Sequence, residues 1–330
     1  MKSTIPTIIR ENIIIASLVG IYISIGYLIE YCYVPNIIVL KIINPILFSL
    51  AIIFSGCFLL FQILRNRASE YINMQSVVGF VTTVLLLTPF ECMFASIKQA
   101  IPCINDFCWD YKLMNLDYRL HLNRHPWEIL SIFLNNEYIL RCIDSMYMLW
   151  FIFLIAYCFG MAWSSNRRLR LQFMISSLLV WMIFGSVLGI TFSSAGPCYY
   201  AKTIDRSHSE DPYQPLLSKL HTYHESKSLW AIRNQIGLWK SKISCKWLPF
   251  GGISAMPSVH VAMAMIFLFT SYHTCKFFGM LMAVYAIIIL LGSIILAWHY
   301  AIDGYISIIL STLLWNLTGK LLDNYPKMWS

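Results

Sequence analysis

Ala255-Met256-Pro257-Ser258-Val259-His260 and Trp298-His299-Tyr300-Ala301-Ile302-Asp303 are the two stretches of sequence that decide the fold of this chain. Each lies where an apolar run meets a polar loop, and their histidines are 39 residues apart. Two apolar runs and a short polar turn fill that interval, which predicts a membrane helical hairpin. Such a hairpin returns both histidines to the same side of the bilayer.

The residue types in the two stretches favour the chemistry of a phosphate group. A proline at a helix start has a preset φ, so we expect the amides of Ser258 and the residues after it to point outward. Free N–H groups at a helix N-terminus attract phosphate. His299 and Asp303 are four residues apart, which predicts one helix face on which the carboxylate orients the imidazole. That pairing is typical of a nucleophile or a general base.

The composition excludes a soluble globular domain. The 330 residues are 58% hydrophobic and 12% charged, and the mean hydropathy is +0.64. This predicts an all-α, multi-pass membrane protein. The net charge of +8 is scattered over loops rather than gathered into a patch, so we expect no nucleic-acid partner.

Apolar runs divide the chain into about eight predicted spans. They lie near residues 13–34, 43–64, 76–97, 144–163, 172–193, 257–272, 277–298 and 299–317. We therefore divide the chain into an N-terminal group of three spans (1–97), an outer interfacial segment (98–138) and a catalytic membrane domain (139–330). Residues 109–130 and 228–243 have the pattern of interfacial helices that roof the site. In the first of these, Asp110 and Asp117 are placed on the polar face. Asp144 either serves the site or pairs with Arg141.

The basic residues of the short loops predict the orientation. In the predicted topology, the Arg167-Arg168-Leu169-Arg170 stretch and Lys276 lie on the same side of the membrane as the N-terminus. The side rich in Lys and Arg is the cytoplasmic one. Both termini are then cytoplasmic, and the two histidines lie on the extracytoplasmic side, periplasmic or lumenal.

Four cysteines lie in predicted outer loops. Cys103 and Cys108 form one candidate disulfide pair, and Cys198 and Cys245 form another, since an oxidising exterior permits both. The alternative is four free cysteines.

Three motifs in order carry a resemblance to a known family. Ser194-Ala195-Gly196-Pro197, Pro257-Ser258-Val259-His260 and His299-Tyr300-Ala301-Ile302-Asp303, separated by apolar spans, resemble the type 2 phosphatidic acid phosphatase superfamily. More narrowly, the chain resembles the inositolphosphotransferase branch, which includes inositol phosphorylceramide synthase. The Asp117-Tyr118-Arg119-Leu120 and Pro126-Trp127 pattern adds to this, so the resemblance covers about residues 109–305, and the first three spans lie outside it.

The resemblance implies a role for each motif. His299 attacks a lipid phosphate to form a phosphohistidine, Asp303 orients it, and His260 protonates the leaving group and later activates the acceptor. Ser258, Val259 and nearby amides bind phosphate oxygens, and Gly196 and Pro197 shape the facing wall. The substrate is a phospholipid or polyprenyl phosphate in the bilayer, and neither a cofactor nor a metal is required.

The chain also departs from the family pattern. An arginine that usually precedes the nucleophile by six residues is Ser293 here, and the usual glycine between serine and histidine is Val259. Lys112 and Arg119 match the spacing of a further basic motif, but only by accident. Tyr200 is a further candidate for phosphate binding, and the loop after it offers Lys202 and Arg206 as replacement cations.

Fewer cations suit a phosphodiester better than a phosphomonoester, which carries nearly two negative charges. The sequence therefore predicts a membrane phosphotransferase that moves a phosphate-containing headgroup from a lipid-linked donor to an acceptor. One alternative is a phosphatase that hydrolyses a lipid phosphate or polyprenyl (di)phosphate with the same residues. A non-catalytic lipid transporter or scaffold is the other.

Overall fold

The computed structural model describes residues 4–33, 74–204, 211–244, 248 and 251–329. All regular structure in these residues is helical, which confirms the predicted all-α class. The described ranges contain ten α-helices of more than ten residues: α1 (Thr4–Tyr33), α2 (Met74–Ile104), α3 (Asp110–Leu120), α4 (Glu137–Ala162), α5 (Arg167–Leu179), α6 (Gln214–Ser226), α7 (Trp230–Ser244), α8 (Val259–Thr274), α9 (Lys276–Ile295) and α10 (Ala301–Asn324). Shorter turns at Pro126–Ile129, Ser131–Leu134, Pro197–Tyr199, Tyr200–Thr203 and Pro326–Met328 connect them.

Six helices in the described part of the chain are long and apolar enough to cross a membrane. They are Asn12–Tyr33, Val77–Ile104, Glu137–Ala162, Arg167–Thr191, Lys276–Ile295 and Ala301–Asn324. The multi-pass architecture is thus confirmed, while the number eight stays a prediction. The predicted span at 43–64 lies outside the described residues, and α8 is a shorter apolar helix of 16 residues.

The short helix α8 lies at the centre of the bundle. It packs against α4, α5, α9 and α10, and Val261, Ala262 and Phe267 are fully buried. At 1.5 Å per residue, α8 is about 24 Å long, which is less than the ~30 Å hydrocarbon layer. Because other helices surround α8, its N-terminal cap, Ser258, is fully buried as well.

The predicted helical hairpin between the two histidines is present. The helix α8 ends at Thr274 and α9 begins at Lys276. After α9 ends at Ile295, five residues form a turn in which the Ser293 carbonyl accepts the N–H groups of Trp298 and His299, at 2.9 and 3.0 Å. This hairpin and turn bring His299 back to the start of α8.

The expectation that His299 and Asp303 share a helix face is wrong, because α10 begins at Ala301, after His299. Asp303 lies in the first turn of α10, and its Oδ2 accepts the N–H of Tyr300 at 3.0 Å. An acidic side chain in this position caps a helix N-terminus. The Asp303 carboxylate therefore caps the N-terminus of α10. His299 lies in the turn before this helix and not in the helix itself.

The helix α5 continues without a break into a π-helical segment, Val180–Leu188, and then into Gly189–Thr191. A π-helix has a wider turn than an α-helix and is frequent at functional sites. Here it places Gly185 beside the cavity described next.

The helix α3 turns a different face inward than the sequence pattern predicts. Asp110 and Asp117 are 0% and 1% exposed, whereas Leu116 and Leu120 are 43% and 54% exposed. The predicted segment boundary at residue 98 falls inside α2. In α3, the inward face follows from Asp110 and Asp117, which bind backbone N–H groups of Ala195, Gly196, Ala301 and Ile302.

Candidate active site

A cavity of about 440 Å³ contains both motif histidines. Lys98 of α2, Phe151 of α4 and Arg233 of α7 lie on its walls, together with His260 and His299. We call it the reaction cavity. The helix α7, predicted as a roof over the site, contributes four of its lining residues: Arg233, Asn234, Gly237 and Leu238.

A backbone carbonyl orients the imidazole of His299. Its Nδ1 lies 2.8 Å from the carbonyl oxygen of Ala255 and 3.4 Å from Oδ2 of Asp303. Because a carbonyl oxygen only accepts, this hydrogen bond assigns the proton to Nδ1. The lone pair then lies on Nε2, the atom that a nucleophilic attack uses.

His299 sits in the turn between two spans, 7% exposed. Burial lowers the pKa of His299, and the charge of Lys98 acts in the same direction, while the hydrogen bond to Ala255 raises it. The ring is therefore neutral near pH 7, as a nucleophile must be.

His260 in the first turn of α8 faces His299. The two ring centroids are 6.2 Å apart, with an angle of 57° between the planes. Tyr147 stacks on His260 at 5.0 Å and 19°, and Trp150 lies at 4.3 Å. These aromatic rings fix the imidazole of His260, so one cavity holds two imidazoles, an arrangement that can supply both a nucleophile and a proton-transfer group.

The carboxylate of Asp303 is fully buried. Its Oδ1 has no hydrogen-bond partner among the described residues, and its Oδ2 is farther from His299 than the Ala255 carbonyl is. Asp303 is therefore placed to stabilise positive charge that develops on His299, whereas the Ala255 carbonyl sets the orientation of the ring.

The two predicted phosphate-binding residues at the start of α8 have different positions. Val259 lies on the wall of the reaction cavity. Ser258 is fully buried, and its Oγ accepts the N–H of Val261 at 3.4 Å. Ser258 thus caps α8 and does not line the cavity.

Gly196 and Pro197 lie just behind the cavity wall. Gly196 has a φ of +93°, and a Cβ there would lie 2.6 Å from the carbonyl oxygen of Trp298. Only glycine fits such a position. Pro197 is buried and begins a helical turn, and Ala195 and Trp298 on either side line the cavity.

The structure does not bring the other predicted binding residues to the cavity. Tyr200 is 2% exposed and packs in the core. Lys202 is exposed and lies over the Trp239 ring at 4.7 Å. Arg206 lies outside the described residues.

Two cations that the sequence reasoning missed line the cavity instead, Lys98 and Arg233. Gly252, with a φ of +99°, packs so closely on Lys98 that a Cβ would lie 2.7 Å from its Cγ. Gln99 also exchanges two hydrogen bonds with the backbone of Leu248. A lysine at the end of an apolar run usually indicates a membrane interface. The sequence around Lys98 therefore gave no sign that its side chain lines a cavity.

Three buried aspartates bind backbone N–H groups near the site; the sequence offered Asp144 as a candidate and missed Asp110 and Asp117. Each accepts two successive backbone N–H groups: Asp110 those of Ala195 and Gly196, both at 2.9 Å, Asp117 those of Ala301 and Ile302, at 2.6 and 2.9 Å, and Asp144 those of Trp230 and Ala231, at 2.7 and 2.9 Å. Asp110 also accepts the hydroxyl of Tyr300, at 2.8 Å. Asp144 therefore anchors α7, while Arg141 pairs with Glu137.

These carboxylates are costly to bury. Burial raises the pKa of Asp110 against four hydrogen bonds that lower it. Burial likewise raises the pKa of Asp117 to about 7, although the N–H groups of Ile302 and Ala301 oppose it. The cost shows how firmly the loops around His299 are held.

Cys103, Cys108 and Cys198 are free cysteines in the structure, so Cys103 and Cys108 are not bridged to each other. Cys245, the expected partner of Cys198, lies outside the described residues. Among the residues described, no group of three or more His, Cys, Asp or Glu side chains is placed to hold a metal ion.

Comparison with known proteins identifies the family. A family model described as PAP2 superfamily matches residues 111–317, more than half of the chain. No curated protein and no solved structure matches the chain. The matched range contains His260, His299 and Asp303 and excludes α1 and α2.

Proposed function

The chain belongs to the PAP2 superfamily, and we propose that it is a membrane phosphotransferase that acts through a phosphohistidine. The family is the one that the three motifs predicted, and it supports a lipid phosphatase or phosphotransferase type of function. Within it, we place the chain in the inositolphosphotransferase branch, because of the motif pattern. The observation that carries the proposal is the position of His299, with Nδ1 bonded to a carbonyl and the ring in one cavity with His260.

The reaction has two halves. His299 Nε2 attacks the phosphorus of the donor, so an N–P bond forms while the P–O bond to the lipid alcohol breaks, and protonated His260 gives its proton to the departing oxygen. In the second half, His260 takes the proton of the acceptor hydroxyl. The acceptor oxygen then attacks phosphorus and the N–P bond breaks, which restores both histidines.

The charges of the cavity favour a donor with a phosphodiester. Lys98 and Arg233 are the cations that we assign to the phosphate, in place of the arginine that the family has at the position of Ser293. Ser293 is fully buried and its hydroxyl bonds the carbonyl of Leu290. One half-buried ammonium and one exposed guanidinium match a single negative charge better than two.

We place the reaction cavity on the extracytoplasmic side, with both termini in the cytoplasm. In support, Arg167 and Arg168 begin α5 and Lys276 begins α9, at the opposite end of these helices from the cavity. Basic residues at span ends favour the cytoplasmic side.

The test is the His299→Ala variant in purified protein. Incubation with phospholipids and polyprenyl phosphates, followed by product masses, should show turnover by the natural sequence and none by the variant. His273→Ala is the matched control, since His273 lies on α8 near its other end. A His260→Ala variant should slow both halves of the reaction, because the departing oxygen receives no proton and the acceptor hydroxyl loses none. Turnover by His299→Ala would refute the proposal.

The same products decide between the alternatives. A new phosphodiester indicates transfer, and free phosphate or a released headgroup phosphate indicates hydrolysis. Lipid movement without any product, unchanged in His299→Ala, would indicate a transporter or scaffold.

A further inference from the structure

A second cavity, of about 290 Å³, lies inside the bundle next to the reaction cavity. It is enclosed by α2, α4 and α5 with its π-helical continuation. Apolar and aromatic side chains make up most of its lining, among them Phe90, Leu154, Ile155 and Trp181, and Glu91 and Ser177 add polar groups. We call it the apolar cavity.

One face of α2 serves both cavities. Leu87, Glu91, Phe94 and Lys98 follow one another at intervals of four, three and four residues, which places them on one stripe of the helix. The first three line the apolar cavity, and Lys98 lines the reaction cavity. The stripe thus has two apolar residues and one carboxyl group, Glu91, in the apolar cavity, and it is cationic at the end near His299.

A thin aromatic wall separates the two cavities. Phe151 lines both of them. Phe94 of the apolar cavity packs directly on Gly185 of the reaction cavity, where a Cβ would lie 2.4 Å from the Phe94 ring. Lys98 Nζ is 6.0 Å from the centre of the same ring. The two cavities therefore meet at these phenylalanines, with the Lys98 ammonium on the side of the reaction cavity and apolar side chains on the other side.

We infer that the apolar cavity binds one hydrocarbon chain of the lipid whose phosphate occupies the reaction cavity. This inference rests on the proposed function for the identity of the lipid. The volume corresponds to about ten groups of the size of a water molecule or methylene, at roughly 30 Å³ each. A chain of about ten carbons, acyl or prenyl, fits it.

The bilayer makes a hydrocarbon chain the natural occupant. Within lipid, the hydrophobic effect contributes little to binding, because the chain is already in an apolar solvent. An unfilled cavity, however, lacks dispersion contacts, and a chain restores them without desolvation of a polar group. The helix α2 lies outside the range that the family model matches, whereas α4 and α5 lie inside it, so α2 adds one wall to a cavity that helices of the matched range otherwise form.

The first test fills the apolar cavity. Ile155→Trp places a large side chain in it, and Ile152→Trp is the matched control, because Ile152 is on the same helix and 62% exposed. We measure turnover of two lipid phosphates with the same headgroup, one with chains longer than ten carbons and one with chains of four. The ratio of the long-chain to the short-chain rate should fall about tenfold in Ile155→Trp, as overpacking of a binding site predicts, and stay unchanged in Ile152→Trp. An unchanged ratio in Ile155→Trp overturns the inference.

The second test needs no turnover. A phospholipid with a photoactivatable group in its acyl chain is incubated with the His299→Ala protein, and the labelled peptides are identified by mass. Labels in residues 87–94 and 151–158 that are lost in the His299→Ala, Ile155→Trp double variant support the inference. Labels confined to lipid-facing residues such as Leu85 refute it. If Ile155→Trp does not fold, Cys158→Trp fills the same cavity.

The two proposals fail in different ways. Labelling of the apolar cavity in a protein that turns over no lipid phosphate removes the proposed function and keeps the chain-binding site. Turnover without labelling of the apolar cavity, and without a change in the rate ratio, keeps the proposed function and removes the chain-binding site.

Discussion

Two of the walls of the reaction cavity are built in different ways. One wall consists of the loops at 194–197, 255–260 and 296–303, in which Gly196 and Ala297 have a positive φ and buried aspartates bind backbone N–H groups. The other is the regular helix α2, which contributes Lys98 from one stripe. Under the proposed function, the comparison indicates a division of labour: irregular backbone would fix the reacting groups, and a continuous helix would present a group that recognises the substrate.

The largest effect is expected in the loop wall, at Asp303. Asp303→Asn keeps an acceptor for the N–H of Tyr300 but removes the negative charge 3.4 Å from His299 Nδ1. We expect kcat to fall about 10³-fold, roughly 4 kcal/mol, because the charge that develops on His299 loses its counter-charge. Asp323→Asn, at the exposed end of the same helix, is the control. A loss below tenfold would show that the charge at residue 303 is dispensable.

A smaller effect is expected at Asp117, and it concerns stability. The pKa of Asp117 is raised from 3.8 to about 7 in the folded protein, first by burial and then by the charge of Asp303, while the Ile302 and Ala301 N–H groups and His121 lower it. The folded state therefore holds the proton more tightly than the unfolded state. Its stabilising contribution is complete below pH 4 and is lost as the pH rises to about 7 and above.

The measurement is thermal unfolding in detergent between pH 4 and pH 8. The natural sequence should lose on the order of 3 kcal/mol of stability through this group over that range, and Asp117→Asn should not show that part of the slope. Asp106→Asn, at an exposed position nearby, should keep the slope. Equal slopes in Asp117→Asn and the natural sequence would mean that the loop wall does not depend on this carboxylate.

The smallest effect is expected in the helical wall. Lys98→Met removes one phosphate-binding cation from the reaction cavity, so kcat/KM should fall about tenfold, or 1.4 kcal/mol. Lys98→Arg should retain most of the activity, and Lys112→Met, whose Nζ lies over the Trp109 ring at 4.4 Å, is the control. If Lys98→Met is as severe as Asp303→Asn, the division of labour between the two walls does not hold.

Much of the catalytic centre was predictable, because its residues are close together in sequence and have characteristic types. The sequence predicted His260, His299 and Asp303 as one site, together with the hairpin between them and the superfamily. It misplaced the start of the last helix, since a helix that begins at 299 or at 301 has the same apolar pattern. Capping of α10 by Asp303 decided between them.

Contacts between distant segments were not predictable in the same way. Lys98 reaches the cavity because Gly252 and Leu248 dock on the end of α2, and no local pattern reports such a contact. Asp110 and Asp117 have the spacing of a polar helix face. They nevertheless point inward, because their carboxylates accept the backbone N–H groups of Ala195 and Ala301, which belong to distant segments. Lys202 was likewise predicted as a phosphate-binding cation from its place in the chain, but tertiary packing puts it over the Trp239 ring.

The amino-acid sequence alone predicted that the chain is helical, that it lies in a membrane and that two histidines and an aspartate form one candidate site, because composition, apolar period and short motifs are local properties. Only the tertiary structure decided which cations face those histidines, which carboxylates hold their loops and where a lipid chain has room. Those features depend on the packing of segments far apart in the chain, and packing is a property of the folded whole.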